Sequence, residues 1–154
     1  MKRLLLATML AAIAVLWTKP VDARQLGLWC NISTTGVSFG NYSVFNPSAT
    51  LAEGTITYQC LLGVLIRIEL DDGQSTTFTP RVMKDGTKPA LSYNLYLDSN
   101  RSTIWGNGSG STGVLSHIVT ALFTHQARVY GRIPPQQNVQ AGSYSDSVTA
   151  TIIF

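Results

Sequence analysis

The sequence predicts an all-β sandwich on an exported chain, and three observations carry that reading. Apolar residues recur in short alternating runs at the period of a strand, not at helical spacing. Gly, Ser, Thr and Asn are abundant, while charged residues make up only 12% of the chain. Clusters of turn residues separate the runs at short, regular intervals, as in a two-sheet domain.

The export reading rests on the first 23 residues. Lys2 and Arg3 precede an apolar run from Leu4 to Trp17, and Val21-Asp22-Ala23 offers small residues before a cut. That pattern is a secretory signal peptide, and the run is shorter than the ~20 apolar residues a spanning helix needs. The expected organisation is therefore a leader over 1–23 and one domain over 24–154. Removing Lys2, Arg3, Lys19 and Asp22 leaves eight basic and seven acidic residues, a net charge of +1 with no basic block. A nucleic-acid or membrane-surface binder would show clustered Lys and Arg, so neither partner is expected. Cys30 and Cys60 are the two cysteines. In an oxidising compartment an even count favours a disulfide, and closing a loop of this length should stabilise the fold by about 3–4 kcal/mol.

The elements follow in order. Thr55–Cys60 alternates with Ile56 and Tyr58 on one face, and Val64–Leu70 places Val64, Ile66, Ile68 and Leu70 together against Leu65, Arg67 and Glu69. Asp71-Asp72-Gly73 ends that strand with turn chemistry. Leu91, Tyr93, Leu95 and Leu97 alternate with Ser92, Asn94, Tyr96 and Asp98, and a turn at 99–101 leads to the short run 103–105. The Gly/Ser/Asn segment 106–113 reads as an exposed, mobile loop. Strands resume over 114–121 and 125–132, Pro134-Pro135 opens a loop, and the last strand covers Val148–Phe154 with Val148, Ala150, Ile152 and Phe154 on one face.

Catalytic chemistry finds few residues to work with. His117 and His125, expected on neighbouring strands or one bent hairpin, lack the further ligands a zinc site requires. Asp71 and Asp72 are adjacent, so a strand would point them to opposite faces, and no Gly-x-Ser-x-Gly elbow occurs. Gly106-Asn107-Gly108-Ser109-Gly110 has neither the Lys of a phosphate loop nor a following helix. No enzyme, metal or cofactor is expected. Trp29, Tyr96, Trp105 and Tyr130 could offer stacking faces to a sugar, which makes a free-standing secreted carbohydrate-binding module the alternative function.

The order of short motifs is more specific than any one of them. Cys30, Val37-Ser38-Phe39-Gly40-Asn41-Tyr42, Gly54–Cys60, Arg81-Val82-Met83, Leu91–Asp98, Trp105-Gly106-Asn107-Gly108, Val129–Pro134 and Gly142–Val148 follow one another as in the spore coat protein U domain family, which the chain resembles from Cys30 to Phe154. The resemblance implies an archaic, Csu-type chaperone-usher pilus subunit with an immunoglobulin-like sandwich that lacks its final strand. Such a fold is completed by donor-strand complementation. The implied partners are a periplasmic pilus chaperone, an outer-membrane usher and neighbouring pilin subunits. The implied destination is the cell surface, in a fibre or coat serving adhesion and biofilm formation. On this reading Val148, Ala150, Ile152 and Phe154 form one wall of the acceptor groove, Cys30 and Cys60 the staple, and Gly40, Gly131 and Gly142 the backbone turns. After a cut at Ala23 only Arg24–Trp29 precede Cys30, a reach of about 20 Å. The expectation is a chain that accepts a strand and donates poorly, unless cleavage follows Ala14.

Overall fold

The computed structural model describes residues 29–61 and 63–154; the expected leader and residues 24–28 lie outside the described residues. Eight strands make two sheets, and no helix occurs among the described residues. In chain order they are β1 (Cys30–Thr35), β2 (Thr50–Cys60), β3 (Val64–Leu70), β4 (Arg81–Met83), β5 (Leu91–Tyr96), β6 (Leu115–Val119), β7 (His125–Ile133) and β8 (Ala150–Ile153). One sheet has the order β1-β2-β7-β5-β4 and the other β6-β3-β8, all pairs antiparallel.

Alternation explains the strongest elements. In β3 the even-numbered apolar residues Ile66 and Ile68 are fully buried while Leu65 and Arg67 face outward, the pattern of a strand with one wet face. β2 and β7 repeat it, burying Ile56, Tyr58 and Cys60 from one and Ala127, Val129 and Ile133 from the other. β1 and β4 carry too little alternation to stand out in the sequence; β1 is fixed by its ladder to β2, which sets Cys30 opposite Cys60.

Several sequence expectations change in three dimensions. β5 is buried on both faces for part of its length, because the Arg81 guanidinium and the chain at Phe78 cover the side chain of Asn94, which was expected outward and is only 6% exposed. Its Oδ1 accepts from Arg81 Nη1 at 3.0 Å and its Nδ2 donates to Phe78 O at 2.8 Å. Arg81 is wholly buried: its Nε and Nη2 donate to Asp71 O, and Nη2 also reaches Trp105 O at 2.7 Å. A buried guanidinium is tolerated here because carbonyl and amide oxygens take its protons.

The segment 106–113 is tied down by Gly106 N to Gly113 O at 2.9 Å and by Thr112 Oγ1, leaving only its tip, 107–111, exposed. The run 103–105 forms isolated bridges from Ile104 to Tyr96 and from Trp105 to Gly113, not a strand of its own. His117 and His125 are not on neighbouring strands, since β6 and β7 belong to opposite sheets.

Candidate functional site

An open trough with a volume of about 990 Å³ lies between the two sheets. Its floor is apolar core: Ile56, Leu70, Met83, Leu91, Val129 and Ile133. One wall is the unbroken run 34–45, in no strand beyond Thr35 and ending in a turn at 44–45. The other is built from residues 139–150, which lead into β8. β8 is the last strand of its sheet, so its second edge has no ladder partner among the described residues.

Both walls follow strand chemistry. In the first, Val37 and Phe39 turn inward while Ser38 and Gly40 face water, and Phe39 sets its ring edge-on to Tyr93 with centroids 5.9 Å apart. Gly131 lets this wall approach. It lies in the middle of β7, not in the expected turn, and a Cβ there would meet Phe39 Cζ at 2.6 Å and Val37 Cγ1 at 2.7 Å. Gly40 takes a left-handed backbone conformation, with φ +64°, that favours glycine. In the second wall Tyr144, Asp146, Val148, Ala150 and Ile152 alternate inward with outward Ser145, Ser147, Thr149 and Thr151.

The acceptor residues expected from the sequence fall on this second wall in part. Val148 and Ala150 line the trough, and Ile152 packs on the core from the same face. Phe154, beyond the end of β8, is 45% exposed. Sequence reasoning missed the opposite wall, 34–45, where only Val37 and Phe39 alternate before Gly40 and Asn41 interrupt the pattern ahead of the inward Tyr42.

Electrostatically the trough is almost neutral. Asp146 is its one acidic or basic lining residue, and its carboxylate is already engaged. It accepts from Tyr93 Oη at 2.7 Å and from the backbone N–H groups of Gln74 and Ser147 at 2.8 Å each. Burial, and then the bond to Asp146, push the Tyr93 phenol far above its ordinary range. It stays a donor at any physiological pH. A backbone bridge from Lys84 to Ser145 pins the same wall to the edge of the five-stranded sheet. Such a surface can bury apolar side chains and pair with backbone.

The opposite end is closed. Cys30 and Cys60 are joined, with their Cα atoms 4.1 Å apart. Next to them Tyr58 Oη meets His117 Nδ1 at 2.9 Å, and the rings of Tyr58, His117 and His125 lie within 4.8–6.0 Å of one another. No group of three metal-ligating side chains occurs among the described residues. The four aromatic residues expected to face a sugar do not share a surface. Trp105 is fully buried and donates from Nε1 to Ile68 O at 2.9 Å, Tyr96 and Tyr130 pair across β5 and β7, and Trp29 lies beside the disulfide.

A two-sheet, all-β domain with one sealed end and one apolar trough beside a free strand edge is the class that fold and site define. The Spore Coat Protein U domain model matches residues 21–151, and the chain belongs to that family. Protein U of Myxococcus xanthus is 35% identical over 130 residues, which cover 77% of this chain and 71% of that protein. The fold is similar to one chain of the crystal structure of the CsuC-CsuE chaperone-tip adhesion subunit pre-assembly complex from archaic chaperone-usher Csu pili of Acinetobacter baumannii. The TM-score is 0.59 at 23% identity, over 82% of this chain. This chain spans 40% of the length of that one.

Proposed function

We propose that this chain is a structural subunit of a bacterial surface fibre or coat, assembled by accepting a β-strand from another protein. The observation that carries the reading is the free edge of β8 running alongside an apolar trough. Unpaired N–H and C=O groups beside exposed apolar surface are what strand addition satisfies, the ladder giving affinity and the pockets giving register. Val148, Ala150 and Ile152 serve as the acceptor wall on the β8 side, with Phe154 at its end. A periplasmic chaperone fills the trough first, an outer-membrane usher receives the complex, and a neighbouring subunit's strand replaces the chaperone's. Adhesion and biofilm formation follow from the assembled fibre at the cell surface.

Family membership and the similarity to a chain of a chaperone–subunit complex support this reading. The carbohydrate-binding alternative loses its platform with Trp105 buried. Exported to a periplasm without a chaperone, the chain should aggregate. Fusing an alternating apolar strand after Phe154 through a flexible linker should restore solubility and raise the melting temperature. A stable unfused monomer whose melting point ignores the added strand would overturn the proposal.

A further inference from the structure

We infer that Gln137 and Tyr42 form a bracket that fixes the spacing of the two walls of the trough, making them positioning residues for strand capture; this rests on the acceptor reading above. The bracket begins with proline chemistry. The β5–β7 register pairs Asn94 with Arg132, and carried two residues further it sets Ser92 opposite Pro134, which has no N–H to give. The backbone of Ser92 is served instead by a side chain. Gln137 Oε1 accepts from Ser92 N at 2.8 Å and Gln137 Nε2 donates to Ser92 O at 2.8 Å. One primary amide thus stands in for a peptide group of the departed strand.

The same residue reaches the far wall. Gln137 N donates to Tyr42 Oη at 2.8 Å, and Tyr42 Oη donates to Pro134 O at 3.2 Å, which also accepts from Gln137 Nε2 at 3.1 Å. The turn that allows this holds Gln136 at φ +56°, a left-handed conformation that a residue with a side chain rarely adopts. Each partner belongs to the trough or borders it. Tyr42 lines the 34–45 wall, Ser92 lies between the floor residues Leu91 and Tyr93, Pro134 follows the floor residue Ile133, and Val139 begins the other wall. An empty apolar trough gains by closing on itself, because closure removes apolar surface from water. A polar crossbar at one end opposes that closure without occupying the space of an incoming strand, and a preformed site lowers the ordering cost of binding.

The test uses the full exported chain released from its chaperone and a fluorescent synthetic peptide of alternating Val and Thr as donor. Tyr42→Phe keeps the ring and removes the hydroxyl; Gln137→Leu keeps the approximate shape and removes the amide. Each should slow peptide capture about tenfold, the equivalent of losing one or two net hydrogen bonds. The double variant should be little slower than either single one, since both break the same bracket. In the strand-fused form the melting temperature should fall less than in the unfused form, a difference that plain loss of stability would not produce. Capture at the wild-type rate, or equal melting losses in both forms, overturns the bracket. A wild-type chain that captures no peptide overturns the acceptor reading itself, and the bracket with it.

Discussion

The two ends of the sandwich are held by different means, and the difference shows which end is built to change. At one end a covalent bond joins β1 to β2, and three rings from β2, β6 and β7 close the space between the sheets. At the other, the walls are segments largely outside the strands held by single side chains: Tyr42 and Gln137 on one side, Asp146 and Asp71 on the other. Hydrogen bonds of this kind are each worth roughly 1 kcal/mol net, whereas the disulfide restricts every unfolded conformation. The sealed end fixes the fold. The open end keeps its walls in place while the outer edge of β8 has no ladder partner among the described residues.

The largest effect should come from breaking the sealed end. Replacing both Cys30 and Cys60 with Ala removes a cross-link over 30 residues of sequence separation, and chemical denaturation should show a loss of about 3–4 kcal/mol. If the two ends are independent, a fused donor strand will stabilise wild type and the double-Ala variant by the same increment. A donor increment that vanishes with the disulfide would show that the trough depends on the sealed end.

A smaller and more selective effect belongs to the open end. Ala150 lines the trough and pairs with Leu70. Ala150→Asp leaves the carboxylate half in water while the trough is empty, so the unfused chain should lose no more than about 1 kcal/mol. An incoming strand would bury that charge without a partner, and peptide affinity should fall on the order of 100-fold. Titration of the fluorescent donor peptide measures it; unchanged affinity would remove β8 from the acceptor wall.

This contrast also separates what the sequence made legible from what it did not. Strands β2, β3 and β7 are readable because each alternates over several residues with one face in the core, and the cysteine pair because export and an even count leave one pairing. The shared inward face of Val148 and Ala150 was readable for the same periodic reason. The opposite wall was not, because 34–45 pairs with no strand beyond Thr35 and its alternation covers only Val37 and Phe39 before it breaks. The bracket was illegible for a different reason: Gln137 acts on Ser92, 45 residues away, and only the register of β5 against β7 reveals that Pro134 leaves a gap there. Arg81 was hidden likewise, since a lone Arg in a three-residue strand gives no sign that Asp71, Asn94 and Trp105 will surround it.

The smallest predicted effect tests whether acid loosens the open end first. Asp71 follows β3, and its Oδ1 accepts from Thr149 N at 2.9 Å and Gly73 N at 3.0 Å, fastening the start of β8. Partial burial raises the carboxyl's affinity for a proton, but the N–H groups of Thr149 and Gly73, with the Arg81 charge, outweigh it and hold the group below its ordinary value. A depressed carboxyl contributes stability above its unfolded pKa of about 4 and loses it as pH falls through the lower folded value. Because Asp71 is open to solvent, screening keeps that contribution under about 1 kcal/mol. Asp71→Asn keeps an acceptor oxygen that cannot be protonated in this range, so its melting temperature should fall less steeply than that of wild type as pH drops from 5 to 3. Both proteins carry the same histidines and the same Asp85 and Asp98, so those groups cancel in the difference. Hydrogen exchange then locates the effect: in wild type, acid should release the amides of Thr149–Ile153 before those of Tyr58–Cys60. Parallel pH profiles for the two proteins, or protection lost first beside the disulfide, would mean that the carboxylate does not fasten the wall and that the open end is no weaker than the sealed one.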